Sequence, residues 1–172
     1  LSINELILRY WENHVVVHYV KRGQPSSQQH SIRAGLRPLR RLYGHTAASD
    51  FGPLALKVVR GEFVALGLAR STVNRYVDVV RRMFRLGVAE ELVPSDVFTR
   101  LQALAGLRAG RTSARETAPI RPVSDAAVEA VLPHVPPPVQ AMIRLQRLTG
   151  MRPGEVVQMR AADVDARGDV WL

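Results

Sequence analysis

One turn near the end of the sequence dictates where two helices must stop and start. It lies in the stretch Leu148–Asp165, LTGMRPGEVVQMRAADVD. Gly150 closes an apolar pattern of helical period, and Pro153 opens the next. Glycine suits the position just past a helix end, and proline suits the first helical position. Arg152 therefore falls at a helix N-terminus, where backbone N–H groups lack partners within the helix. A cation beside the positive end of a helix adds nothing to its stability. It suits an anion, because a guanidinium fork and backbone N–H groups can converge on one phosphate. Glu155, three residues on, shares the helical face and is placed to hold the arginine. The plainer alternative is a surface ion pair worth under about 1 kcal/mol.

The chain of 172 residues has room for one or two domains. It begins at Leu1 and breaks off in Val170-Trp171-Leu172, a strand-like run, which reads as a piece of a longer protein. No signal peptide and no apolar run of membrane-spanning length is visible. The absence of cysteine excludes a disulfide framework and a cysteine-based zinc site, and it fits the cytoplasm. The net charge of +9 is unevenly spread. Residues 1–110 hold 16 basic and 8 acidic residues, whereas 111–172 hold 8 and 7. A basic module followed by a near-neutral one points to a polyanion, foremost nucleic acid, as the partner of the first. A solvated arginine-rich surface is the competing reading.

Periodicity predicts a mainly helical chain. Ser2 and Glu5 form a capping box ahead of a helix to about Tyr19, with His14 at the edge of the core. Gly23 to Ser27 reads as a loop and a cap. The next helix, from about Gln28 to Tyr43, carries Ile32, Leu36 and Leu39 on one face and Arg33, Arg37, Arg40 and Arg41 beside it. Such a stripe can follow a phosphate backbone. A third helix spans Pro53 to Leu66, and a fourth begins at a Ser71 cap. The fourth bears Arg75, Arg81, Arg82 and Arg85 next to an apolar face. Ser95 to Leu104 reads as the last helix of this module. Gly106 to Pro122 has no periodicity, and its Gly, Pro and Arg content reads as a basic hinge. Ser124 caps a short helix through Val131, and Pro136-Pro137-Pro138 opens another through Leu148.

The ordered set Thr149, Gly150, Arg152, Glu155, Val156, Met159 and Asp163-Val164-Asp165 resembles the first catalytic motif of the tyrosine recombinases, the phage integrase family. Thr72-Val73-Asn74-Arg75 and the turn Glu91-Leu92-Val93-Pro94 are similar to the family's core-binding domain. The resemblance implies a SAM-like bundle of four to five helices over 1–105, a basic linker over 106–122, and the first helices and first strand of an incomplete α+β catalytic domain over 123–172. Double-stranded DNA would be the partner, with self-association on DNA in the parent protein. DNA integration or recombination would proceed through a 3′-phosphotyrosyl intermediate, without nucleotide cofactor or metal. Arg152 would be the first of two arginines that stabilise charge on the phosphoryl oxygens, and Glu155 its support. Arg33, Arg37, Arg40, Arg41, Arg75, Arg81, Arg82 and Arg85 would contact DNA.

The remaining family residues would lie beyond Leu172. Tyr10, Tyr19, Tyr43 and Tyr76 all fall in the first module, so none matches the nucleophile. His30-Ser31-Ile32-Arg33 imitates the family's His-x-x-Arg, but it precedes Arg152 and is excluded by order. The chain alone is therefore expected to bind DNA without cleaving it. Two other classes stay open: a non-catalytic helical DNA-binding regulator, and a helical interaction scaffold.

Overall fold

The computed structural model describes residues Leu1–Val164. Asp165 of the motif and the expected strand Val170-Trp171-Leu172 lie outside the described residues. The chain forms two compact units, Leu1–Ala118 and Pro119–Leu172.

The first unit opens with α1 (Ile3–Tyr10), started by the expected capping box. The Ser2 hydroxyl accepts from the Glu5 N–H at 3.3 Å, and the Glu5 carboxylate accepts from the Ser2 N–H at 2.7 Å. A π-helical turn (Trp11–Val15) carries the chain into α2 (Val16–His18). Where a loop is predicted, β1 (Val20–Lys21) and β2 (Gln24–Pro25) form a two-stranded antiparallel hairpin. Helices α3 (Ser27–Tyr43), α4 (Pro53–Ala65), α5 (Arg70–Ala89) and α6 (Ser95–Gln102) follow. Ser26 sits at the N-cap of α3, yet its side chain makes no capping bond.

Long α5 is the hub of this unit, with α1, α3, α4 and α6 all packed against it. Its buried side chains, Val73, Val77, Val79, Val80, Met83 and Phe84, meet Ile3 and Leu6 of α1, Leu36 and Leu39 of α3, and Leu56, Val59 and Phe63 of α4 in one core. Each fully buried side chain of this size stabilises by roughly 1.5–3 kcal/mol. Phe51, from the loop before α4, stacks on Phe84 with centroids 5.2 Å apart. Gly87 lets α1 come close, because a Cβ there would stand 2.8 Å from Leu6 Cδ1.

Two expectations fail at the ends of α5 and α6. Ser71 is not the cap of α5, which starts at Arg70 with Ala69 in the N-cap position and no side-chain cap. The Arg70 N–H instead donates to the Arg115 carbonyl at 2.8 Å. Nor does the unit end at residue 105 and release a hinge from 106. The chain past α6 doubles back onto the start of α5, Ala69 and Arg115 form an isolated parallel bridge, and Ala114 is buried. The partners that hold this segment lie far away in sequence, so its lack of periodicity gave no sign of the docking.

In the second unit, Ser124 caps α7 (Asp125–Val131) by accepting from the Ala127 N–H at 3.3 Å. α8 (Pro137–Thr149) and α9 (Pro153–Gln158) follow. Arg147 of α8 bridges Asp125 at 2.7 Å and Glu129 at 2.8 Å on α7. Leu132 and Val156 are the buried apolar residues described here, and neither α7 nor α8 contains a buried residue.

Burial therefore differs sharply between the two units, and hydrogen exchange should register it. Amides from Ala126 to Leu148 are expected to exchange much faster than those from Val73 to Phe84. Equal strong protection of both sets would contradict this ranking. A second expectation concerns Tyr10, which is fully buried with a hydroxyl that has no hydrogen-bond partner among the described residues. Burial, helped by the neighbouring Tyr19, pushes its pKa up to about 12. A raised pKa means the folded state holds the proton longer than the unfolded chain, so stability is intact below about pH 10 and falls as pH climbs toward 12. Tyr10→Phe should be neutral or stabilising by up to about 1 kcal/mol at pH 7, because it removes an unpaired polar group. In denaturant titrations it should also flatten the alkaline loss.

Candidate functional site

The turn between α8 and α9 is built from local hydrogen bonds. Gly150 takes the left-handed conformation (φ 69°) that ends α8, and its N–H donates to the Gln146 carbonyl. The Thr149 hydroxyl donates to the Leu145 carbonyl at 2.7 Å and accepts from the Met151 N–H at 3.3 Å. Pro153 occupies the first turn of α9 and Arg152 its N-cap position, as the sequence predicts. Buried Val156 anchors the short helix.

Glu155 grips Arg152 twice. One carboxylate oxygen accepts from the Arg152 backbone N–H at 2.7 Å, and the other from the guanidinium Nη1 at 2.9 Å. Part of the N–H array at the start of α9 is engaged within the turn. The Arg152 N–H is occupied by Glu155, Pro153 has none, and the Glu155 N–H donates to the Arg152 carbonyl at 2.9 Å. The guanidinium is the charged donor of this turn. Its side chain is 85% exposed and steered by the carboxylate. A pair so open to water contributes under about 1 kcal/mol to stability.

The arginines of the first unit do not form one stripe. Arg33, Arg37 and Arg40 of α3 line a groove of about 680 Å³ with Asn4, Ile7, Leu8, Trp11 and Leu36. The Arg33 guanidinium lies over the Trp11 ring, 4.6 Å from its centre. Arg37 and Arg40 also reach an adjoining depression beside His45. Arg41 is tied to Glu62 of α4 by an ion pair. The α5 arginines line a separate depression, where Arg81, Arg82 and Arg85 stand with Asp78, Phe98 and Gln102. Arg75 lies over the Tyr76 ring, 5.6 Å from its centre.

Arg81 is committed to the fold. It donates to the Leu101 carbonyl at 3.2 Å and to the Leu104 carbonyl, and pairs with Asp78 at 3.0 Å. Arg60 donates to the Ala105 carbonyl at 2.8 Å. Together they satisfy carbonyls at the end of α6, where cations are favoured. Among the described residues Arg33, Arg37, Arg40, Arg75, Arg82 and Arg85 make no ion pair. Sequence reasoning missed Trp11 as the partner of Arg33. Its signal was an aromatic on the α3 side of an amphipathic helix.

The π-helical turn gathers a second aromatic cluster. His14 stacks on Tyr10 with centroids 5.4 Å apart and meets His18 at 4.6 Å. Burial first, then the nearby charge of His18, lowers the His14 pKa. Both effects fit a half-buried histidine at the core edge.

No protein-family model matches the chain, and no curated protein matches it. Among solved structures it is similar to a fragment of the Tn1549 transposon integrase determined in complex with circular intermediate DNA. The TM-score is 0.66 at 15% identity, over 97% of this chain and 52% of that one. This chain thus spans about half the length of that fragment. No helix among the described residues is long and apolar enough to cross a membrane. Over nearly its whole length, the chain has the mainly helical fold of an integrase fragment.

Proposed function

We propose that the chain is the DNA-gripping portion of a site-specific tyrosine recombinase of a mobile element, whose parent integrates or recombines DNA. The observation that carries this reading is the Thr149–Glu155 turn. It presents an exposed arginine, steered by a carboxylate, in a chain with an integrase fold. Such a planar fork matches a phosphate or a carboxylate, and the basic charge of the chain favours the phosphate of a polyanion.

In the parent, a tyrosine outside this chain would attack a backbone phosphorus. A tyrosyl O–P bond forms as the P–O5′ bond breaks, and the 5′-hydroxyl leaves with a proton. The 5′-hydroxyl of a second strand then attacks the 3′-phosphotyrosyl link and releases the tyrosine. One phosphoester bond is made for each one broken, so no energy source is consumed. Arg152 would neutralise the non-bridging oxygens as their charge grows, and Glu155 would hold the guanidinium in place. Without the nucleophile, this chain would bind DNA and leave it uncut. In the parent, copies would associate on the DNA so that two strands can be exchanged.

The unpaired arginines of α3 and α5 are the contacts proposed for the duplex. Six such contacts, Arg33, Arg37, Arg40, Arg75, Arg82 and Arg85, give a log–log salt slope of roughly −5, at about −0.9 per phosphate. Arg37→Ala with Arg40→Ala should make the slope shallower by about two units. An unchanged slope in fluorescence anisotropy would remove α3 from the binding face.

Arg152→Lys tests the site itself. In the full parent it should keep duplex affinity and lose strand cleavage by on the order of 10²-fold or more, because lysine keeps the charge without the fork. Covalent protein–DNA product measured on a suicide substrate reports this directly. Cleavage near the wild-type rate would show that Arg152 does not clamp the phosphate.

A further inference from the structure

Helix α4 is apolar on two sides. Leu56, Val59 and Phe63 are buried in the core. Leu54, Val58, Gly61 and Ala65 follow one another at steps of four, three and four residues, which places them in one stripe on a different face. All four are exposed, Leu54 by 79% and Val58 by 51%. A helix that is apolar on opposite sides is ordinarily covered on both. The charges of α4 do not screen the stripe. Arg60 donates to the Ala105 carbonyl and Glu62 pairs with Arg41, so both are engaged within the first unit. Lys57 flanks the stripe and is exposed. Gly61 is also unexplained by the fold: a Cβ there would meet nothing within 4 Å, yet glycine weakens the middle of a helix.

We propose that this face pairs with the same face of a second copy of the chain. The two α4 helices would run antiparallel about a two-fold axis placed midway between Val59 and Arg60. The stripe is large at its start and small at its end. That axis sets Leu54 of one copy opposite Ala65 of the other, and Val58 opposite Gly61. Each large side chain meets a small one, and the two-fold repeats both fits. Knobs opposite holes let two helices approach closely, which gives Gly61 its reason. Charge selects the same occupant. A net charge of +9 keeps copies apart in general, and the four stripe positions carry none of it, so contact costs least here. One helix of 13 residues makes a small interface, so the pairing is weak and reversible. It is independent of the DNA reading, because none of the arginines proposed to touch the duplex lies on α4.

Sedimentation velocity of the whole chain, from about 10 µM to 1 mM, should show a reversible monomer–dimer equilibrium. Added salt should strengthen it by screening the repulsion between copies, opposite to the trend expected for duplex binding. Leu54→Lys, at an exposed position, should leave the chain monomeric. Gly61→Leu adds apolar surface and has room in the fold, yet should weaken the pairing about tenfold or more by filling the hole. Unchanged circular dichroism in both variants separates lost pairing from lost folding. The chain has no cysteine, so one introduced cysteine reports the register. At 1.5 Å per residue, positions 61 of the two copies would lie about 4.5 Å apart along the axis, and positions 54 about 16.5 Å apart. Gly61→Cys should therefore give a disulfide-linked dimer under mild oxidation, and Leu54→Cys should not. A monomer over the whole concentration range overturns the pairing. Unaltered association in Leu54→Lys removes α4 from the interface. Unchanged or stronger association in Gly61→Leu, or faster cross-linking by Leu54→Cys, overturns the two-fold register and gives the apolar face to a different contact.

Discussion

The first unit depends on the burial of α5 on several sides at once. A helix that packs against four others cannot spare much surface for charge. Its six buried side chains leave only narrow strips for Arg75, Arg82 and Arg85. Arg81 falls where a strip meets the end of α6, and there it serves the carbonyls of that helix. The basic residues thus divide by geometry into those that close the fold and those that face water. Only the second group has unspent electrostatic energy. Arg33, Arg37 and Arg40 on α3, none of them in an ion pair among the described residues, repel one another until an anion arrives. A polyanion relieves that repulsion for all of them at once, which a single small anion cannot do.

The sequence made the long amphipathic helices legible because their signal is internal. Ser2 and Glu5 announce α1, Pro53 starts α4, and Gly150 with Pro153 brackets the turn at Arg152. Each of these acts within four residues of itself. What stayed hidden depends on distant partners. Ser71 looks like a cap because serine usually is one, but α5 already starts at Arg70, whose N–H is met by the carbonyl of Arg115, 45 residues away. Gly106 to Pro122 looks like a hinge because its docking uses side chains of α5 and has no period of its own. The hairpin at Val20–Pro25 is too short to show alternation.

The same distinction governs the candidate sites. Arg152 and Glu155 were readable as a pair because their spacing places them on one helical turn. That the carboxylate would also occupy the arginine's own N–H was not, since it depends on the side-chain rotamer. Grouping Arg81 with Arg82 and Arg85 was reasonable on helical spacing. It overlooked that, among the described residues, Arg81 is the one of the three that donates to carbonyls at the end of α6. The stacking of Arg33 on Trp11 joins α3 to the π-helical turn after α1, a contact that no spacing along either helix reveals.

Energetics argue that the Arg152 turn is shaped for something other than folding. An ion pair with one partner 85% exposed adds little to stability. A cation at the start of a helix is placed against the helix dipole, which costs a few tenths of a kcal/mol or more. An alanine at this position would avoid that cost, and a serine or aspartate would cap the helix better. The turn nonetheless spends Glu155, the natural capping partner, on orienting the guanidinium as well as on the backbone. Orientation of an exposed fork has value only if a planar, doubly accepting group meets it. A carboxylate or a phosphate satisfies that geometry, and the proposed function, on a chain of net charge +9 with arginines open on α3 and α5, takes it to be the phosphate of a polyanion.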